Sequence, residues 1–125
     1  MAIGTISELI LIGHYESAWQ LLPIILISLA LILFLVISFR KLQVLSRLFG
    51  VLMLLCVVAG IIGFYLHLNA NMEFAAEMRP TLSRWSIFLS SFSGAIPALA
   101  PGSLIAFGII GYAYNLLLSN KNEIL

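Results

Sequence analysis

Five side chains of types that bind cations lie at the ends of the apolar segments of this sequence. The stretch GHYESAW contains His14 and Glu16, and the stretch GFYLHLNANMEF contains His67 and Glu73, with Glu77 one helical turn further on. Two imidazoles and a carboxylate are a familiar ligand set for zinc or iron. The residue types therefore suggest a divalent-metal site built from both histidines and one or more of the three glutamates.

The spacing of these residues does not by itself specify a metal site. His14-x-Glu16 is not a metal-binding motif, and the chain contains no HExxH sequence. Haem ligation by both histidines is disfavoured because His14 lies outside its apolar segment. The same objection weakens chlorophyll ligation, although His67 alone could suffice for it. The alternative is that all these groups are the polar ends of apolar helices, solvated by headgroups and water.

The composition indicates a membrane protein. Of the 125 residues, 62% are hydrophobic and only 9% are charged, and the mean hydropathy is +1.16. A soluble domain of this length carries roughly 25% charged residues. The net charge of +1 disfavours a nucleic-acid partner, and the single cysteine, Cys56, rules out a disulfide framework.

Three apolar stretches, at about 18–39, 48–67 and 97–118, carry no Asp, Glu, Lys or Arg. Each exceeds the length of about 18 apolar residues that predicts a membrane-spanning helix. The sequence therefore predicts one all-α integral membrane domain over residues 1–125, with the lipid bilayer as its solvent.

Basic residues predict the orientation. Three of them lie in the short link between the first two spans and a fourth lies in the C-terminal tail, against two in the long connection before the third span. They are, in that order, Arg40, Lys41, Arg47 and Lys121, then Arg79 and Arg84. The positive-inside rule predicts a multi-pass protein with the link and the C-terminus in the cytoplasm and the N-terminus outside.

Two short amphipathic segments are predicted to lie on the outer interface, at about 5–13 and 81–93. Thr5 and Glu8 have the spacing of a capping box at the start of the first. In the second, apolar residues share one face and Trp85 suits the headgroup level. At the same end, we expect Arg79 or Arg84 to pair with Glu73 or Glu77.

The outer segments also carry two geometric expectations. A turn near 68–71 would be needed to bring the glutamates towards His67, because on a continuous helix Glu73 would point away from it. His14 or Glu16 is expected within hydrogen-bonding reach of the segment 67–77, so that the N-terminal helix is fixed over the bundle.

Rows of small residues predict helix packing. Ala98, Gly102 and Ala106 recur every four residues in the third span, and Ala59 and Gly63 do so in the second. Such rows let helix backbones approach closely, either within the chain or against another membrane subunit.

The stretches GHYESAWQLLP, GFYLHLNANMEFAAEMRP and GAIPALAPGSLIAFGIIGYAY resemble a group of small bacterial inner-membrane proteins with three spans and no established activity. The group has a histidine at the start of its first span, a Y-L-H-L-x-x-N-x-E-F run after the second, and A-P-A-L-A-P-G opening the third. Here Ile96 replaces the first alanine of that last motif. The resemblance implies the same topology and singles out His14, His67, Asn71, Glu73 and Pro101.

Three functions are open. The first is a non-catalytic accessory subunit that docks with other membrane protein subunits, since the chain has no nucleophile–base arrangement and no phosphate-binding loop. The second is a metal-binding membrane protein with the outer His/Glu site. The third, a small transporter or oligomeric pore component, is disfavoured because no ionisable residue lies in the middle of a span.

Overall fold

The computed structural model describes residues 1–11, 13, 15–40, 42–93 and 99–123. These residues form five α-helices and no strands: α1 Ala2–Leu11, α2 Ala18–Phe39, α3 Gln43–Met78, α4 Arg84–Ser93 and α5 Leu99–Glu123. Three of the helices are long and apolar enough to cross a membrane, over Ala18–Phe39, Gln43–Met78 and Ala100–Ser119. The predicted fold class, an all-α protein with three long apolar helices, is confirmed.

The capping box is found at the start of α2 and not at the start of α1, where it was predicted. α1 begins at Ala2, so Thr5 lies inside the helix and its hydroxyl donates to the Met1 carbonyl at 3.2 Å. The predicted capping box at Thr5 and Glu8 is therefore wrong. A capping box does form at α2. The Ser17 hydroxyl accepts a hydrogen bond from the Gln20 main-chain amide, and the Gln20 side-chain oxygen accepts one from the Ser17 main-chain amide. Ser-x-x-Gln before an apolar run is the sequence signal for it.

α3 is one uninterrupted helix of 36 residues, Gln43–Met78, which extends beyond both ends of the span predicted at about 48–67. The turn near 68–71 that the metal set would need is absent, because residues 68–78 contain no glycine or proline and are rich in Ala, Met and Glu, which favour helix. A 36-residue helix is about 54 Å long, whereas bilayer hydrocarbon is about 30 Å thick.

Glycines bring α3 and α5 into close backbone contact. A Cβ added at Gly60 would lie 2.8 Å from the Pro101 carbonyl oxygen, and one added at Gly108 would lie 2.6 Å from the Met53 carbonyl oxygen. A Cβ on Gly111 would collide with the Met53 side chain, which is fully buried. Only glycine permits this approach, and the two helices form the most extensive contact in the described chain.

The pairing of α3 with α5 is antiparallel, and a polar pair fixes it at the end of the bundle opposite His67. The Ser46 hydroxyl donates to the Asn115 side-chain carbonyl at 2.7 Å, and the Asn115 amide nitrogen donates to the Ser46 main-chain carbonyl at 3.0 Å. Asn115 is buried. A buried amide without a hydrogen-bond partner is costly in an apolar medium. These two hydrogen bonds therefore favour one register of the two helices.

α2 completes the bundle against α3. Its buried residues are Leu26, Ile27 and Ala30, which join a core that includes Met53 and Cys56 of α3. Outside this thin core, apolar side chains cover the surface of the long helices. Such a surface is consistent with contact with lipid, where exposed apolar groups carry no hydrophobic penalty.

The glycine contacts predict a strong asymmetry between two substitutions in α5. We expect Gly108→Ala to destabilise the protein by about 1–3 kcal/mol, because its methyl group would overlap the α3 backbone. Gly102→Ala is the matched control, since a Cβ there would meet nothing within 4 Å, and it should be neutral or slightly stabilising. Reversible unfolding in mixed micelles measures both. Equal effects of the two substitutions would contradict the close α3–α5 approach.

Candidate functional site

A cavity of about 240 Å³ lies at the His67 end of the bundle. Four helices line it: α1 with Leu9, α2 with Pro23, α3 with Gly63 and α5 with Leu104, among other residues. α1 packs against both α2 and α5 and so closes one side. The lining is predominantly apolar, and the cavity is larger than the ~150 Å³ engineered cavity that holds benzene. Its size and chemistry suit a segment of an apolar molecule.

Polar groups of the lining come from three helices. Thr5 of α1, Gln20 of α2 and half-buried His67 of α3 line the cavity beside the exposed indole of Trp19. The side-chain carbonyl oxygen of Gln20 already accepts a hydrogen bond from the Ser17 main-chain amide. The side-chain nitrogen of Gln20 remains as a donor. Pro23, four residues after Trp19, also lines the cavity and has no amide hydrogen, so it donates no helical hydrogen bond to the Trp19 carbonyl.

The described part of the predicted metal set does not converge. Because α3 continues as a helix, successive residues turn by about 100°, so Glu73 and Glu77 lie well away from the face of His67. Both glutamates are exposed, as is Glu16. Within the described residues, no group of three or more His, Cys, Asp or Glu side chains could hold a metal ion. His14 lies outside the described residues, so the metal site stays a prediction.

Metal content decides that prediction directly. If both imidazoles bind a metal, the purified protein should contain a stoichiometric divalent ion that His14→Ala and His67→Ala each remove, because losing one of two imidazole ligands weakens a zinc-type site severely. Elemental analysis of the three preparations measures this. Equal metal content in all three would exclude a site that uses the histidines.

The last turns of α3 pair with α4 in an antiparallel helical hairpin. The chain reverses over residues 79–83, and the Asn71 side-chain amide donates to the Ser91 main-chain carbonyl at 3.0 Å. The Ser83 hydroxyl, which accepts from the Ser86 amide at 3.2 Å, caps the start of α4. Ser91 is 1% exposed, so the hairpin contact is buried and polar. We call residues 68–93 the hairpin.

α4 packs its serines inwards and exposes an apolar row. Trp85, Leu89 and Phe92 are 67%, 52% and 48% exposed, whereas Ser90 and Ser91 are half-buried and buried. We call these three exposed residues the α4 row. Phe88 supports the row through a stacked contact with Trp85 and an edge-on contact with Phe92. The apolar face predicted from the sequence is therefore present, and it is directed away from α3.

The ionic contacts predicted at this end are not formed by the described residues. Glu73 accepts a hydrogen bond from the Asn69 side chain at 2.7 Å instead of pairing with an arginine. Neither Arg79 nor Arg84, both exposed, forms an ion pair with Glu73 or Glu77 in this part of the chain. The cause is the uninterrupted α3, which directs the carboxylates along its own exposed face.

The two small-residue rows predicted from the sequence are not where the helices approach most closely. Gly102 makes no close contact, Ala106 is half-buried, and Ala98 lies outside the described residues. Ala59 and Gly63 line the cavity, and a Cβ on Gly63 would lie 3.7 Å from Pro101. The tight approach instead uses three other glycines, Gly60, Gly108 and Gly111. Gly108 and Gly111 are three residues apart in α5 and so share one helix face, whereas Gly60 faces them from α3.

These features define the class of the protein: an all-helical chain with three helices suited to crossing a membrane, a lateral apolar cavity and a helical hairpin beyond one end of the bundle. No protein-family model, curated protein or solved structure matches the chain. The resemblance to small three-span membrane proteins stays a prediction.

The Asn71 bond predicts how the hairpin is held. Asn71→Ala should raise hydrogen exchange in α4 and in residues 79–83, because it removes the donor to the buried Ser91 carbonyl. Asn69→Ala is the matched control, since Asn69 bonds only along its own helix to exposed Glu73. Exchange followed by mass spectrometry measures both variants. Unchanged protection of α4 in Asn71→Ala would contradict this contact.

Proposed function

We propose that this chain is a non-catalytic accessory subunit of a bacterial inner-membrane protein complex, and that it docks through the α4 row. The proposal takes the hairpin and the N-terminus to be on the outer side and the C-terminus to be in the cytoplasm, from the distribution of basic residues. The single observation that carries it is the exposure of Trp85, Leu89 and Phe92.

Depth explains why this exposure favours a protein partner. The apolar part of α3 ends at His67, and the eleven residues from there to Met78 extend the helix by about 16 Å. The headgroup region on each side of the bilayer is only about 5–7 Å thick. By the register that the Asn71–Ser91 bond sets, Trp85 lies opposite the last turn of α3. It therefore stands beyond the lipid in an upright bundle, where its exposed indole needs another cover.

The composition of the hairpin also suits a protein interface. Tryptophan, phenylalanine and arginine are enriched at interface centres, and an apolar centre is commonly rimmed by charge. Arg79 and Arg84 are exposed, Arg84 directly precedes Trp85, and neither arginine forms an ion pair with the glutamates of the hairpin. The partner is therefore expected to present an apolar groove flanked by carboxylates on the outer side of the membrane.

Photo-crosslinking in native membranes tests the proposal. A benzoylphenylalanine in place of Trp85 should attach to one membrane protein, at a peptide from a segment outside the bilayer. The control position is Leu117, which is 70% exposed and lies near the other end of α5. There the same photo-reactive residue should attach to lipid.

A matched pair of serine variants makes the crosslink specific. Leu89→Ser should abolish both the crosslink and co-purification of that protein in mild detergent, whereas Leu117→Ser should leave both intact. If position 85 attaches only to lipid and the chain purifies as a monomer with no associated protein, the accessory role is excluded.

A further inference from the structure

We propose that the cavity at the His67 end is a binding site for one acyl chain of a phospholipid that carries an ammonium headgroup. The site is independent of the docking role of α4, because none of its lining residues belongs to the hairpin beyond His67. Four arguments support it: the depth of the cavity, its lateral opening, the chemistry of its rim and the charge around it.

The depth of the cavity matches the acyl-chain region of one leaflet. On α3 the lining runs from Ala59 to His67, the last part of the apolar stretch, which corresponds to about 12 Å of helix. One leaflet contributes about 15 Å of hydrocarbon. The molecules that fill a bilayer at this depth are lipid chains, so an apolar cavity there is supplied with its ligand from the side.

The cavity opens towards that lipid. Leu22 of α2 and Ile62 and Leu66 of α3 belong to its lining and are 39%, 47% and 51% exposed. A chain can therefore enter sideways along α2 and α3. α1 covers part of the site with Leu9, which is 2% exposed, so the entered chain would be enclosed more fully than lipid on the open surface.

The rim offers partners for a headgroup. The Gln20 amide nitrogen is a hydrogen-bond donor suited to a phosphate oxygen. The Trp19 carbonyl, to which Pro23 cannot donate, is an acceptor suited to an ammonium group. Trp19 itself is exposed beside them, at the position where tryptophan commonly marks the headgroup level.

Charge favours an ammonium-bearing lipid over an anionic one. From residue 1 to residue 39 the chain carries Glu8 and Glu16 and no lysine or arginine. Glu8 directly precedes the lining residue Leu9, and Glu16 comes three residues before the lining residue Trp19, just ahead of α2. These carboxylates attract an ethanolamine headgroup and repel the net charge of a phosphatidylglycerol.

Native mass spectrometry and fluorescence quenching of the full chain test the site. In mild detergent, the wild type should retain one phosphatidylethanolamine in a saturable manner and should retain phosphatidylglycerol much less. The chain has two tryptophans, so Trp85→Phe leaves Trp19 as the only source of tryptophan fluorescence. In that background, phosphatidylethanolamine with a brominated acyl chain should quench Trp19 with saturation at one lipid per chain.

Cavity-filling variants supply the control. Ala59→Phe and Ala100→Phe introduce a ring into the cavity from α3 and from α5 and should both lose the retained lipid and the saturable quenching. Ala113→Phe, at an exposed position of α5 outside the lining, should keep both. A wild type that retains no lipid, as expected if a helix of another protein fills the cavity, would overturn the proposal. Unchanged retention in both folded cavity variants would also overturn it, and equal retention of phosphatidylglycerol would overturn the headgroup assignment.

Discussion

The close approach of α3 and α5 is the constraint on which the rest of the structure depends. In a bilayer, apolar side chains gain little by leaving lipid, so helices associate through close packing and a few hydrogen bonds. Gly60, Gly108 and Gly111 allow that packing, because a side chain at any of them would overlap the facing helix. The Ser46–Asn115 hydrogen bonds fix the register of the two helices, since they form in one register only.

That register extends along the whole of α3. The helices that pack on α3 run antiparallel to it, so residues later in α3 contact residues earlier in the rest of the chain. Ser46 contacts Asn115, Gly60 packs against Pro101, and Asn71 bonds to Ser91. α3 is therefore the central helix of the fold, which we call the spine. α5 packs along its first part and α4 packs along its last turns. The cavity and the hairpin both follow from this arrangement. The cavity forms where α1 and α2 meet the spine near His67, and the hairpin forms where the spine continues beyond the apolar stretch.

Sequence reasoning predicted the three long apolar helices and the two short ones because length, hydropathy and periodicity are local properties. The metal set would have needed a turn near 68–71 to bring the glutamates towards His67, and the structure has a continuous helix there. Nothing in LNANMEFAAEM breaks a helix, and the reversal comes only after Met78. The metal set depended on that turn, so its described members separate once the helix continues. Ser46–Asn115 and Asn71–Ser91 could not be predicted, since each joins residues that are distant in sequence and unremarkable in type.

The central claim is that α3 is one continuous helix from Gln43 to Met78, with α4 and α5 packed along it. A distance between spin labels at these two positions, in a Cys56→Ser background and in lipid bilayers, tests the claim most directly. Thirty-five steps of helix predict a single narrow distance between the backbones of about 53 Å. A broad distribution centred well below that length would reveal a bend between the apolar stretch and the hairpin. Such a bend would contradict both the continuous α3 and the proposed position of Trp85 beyond the lipid.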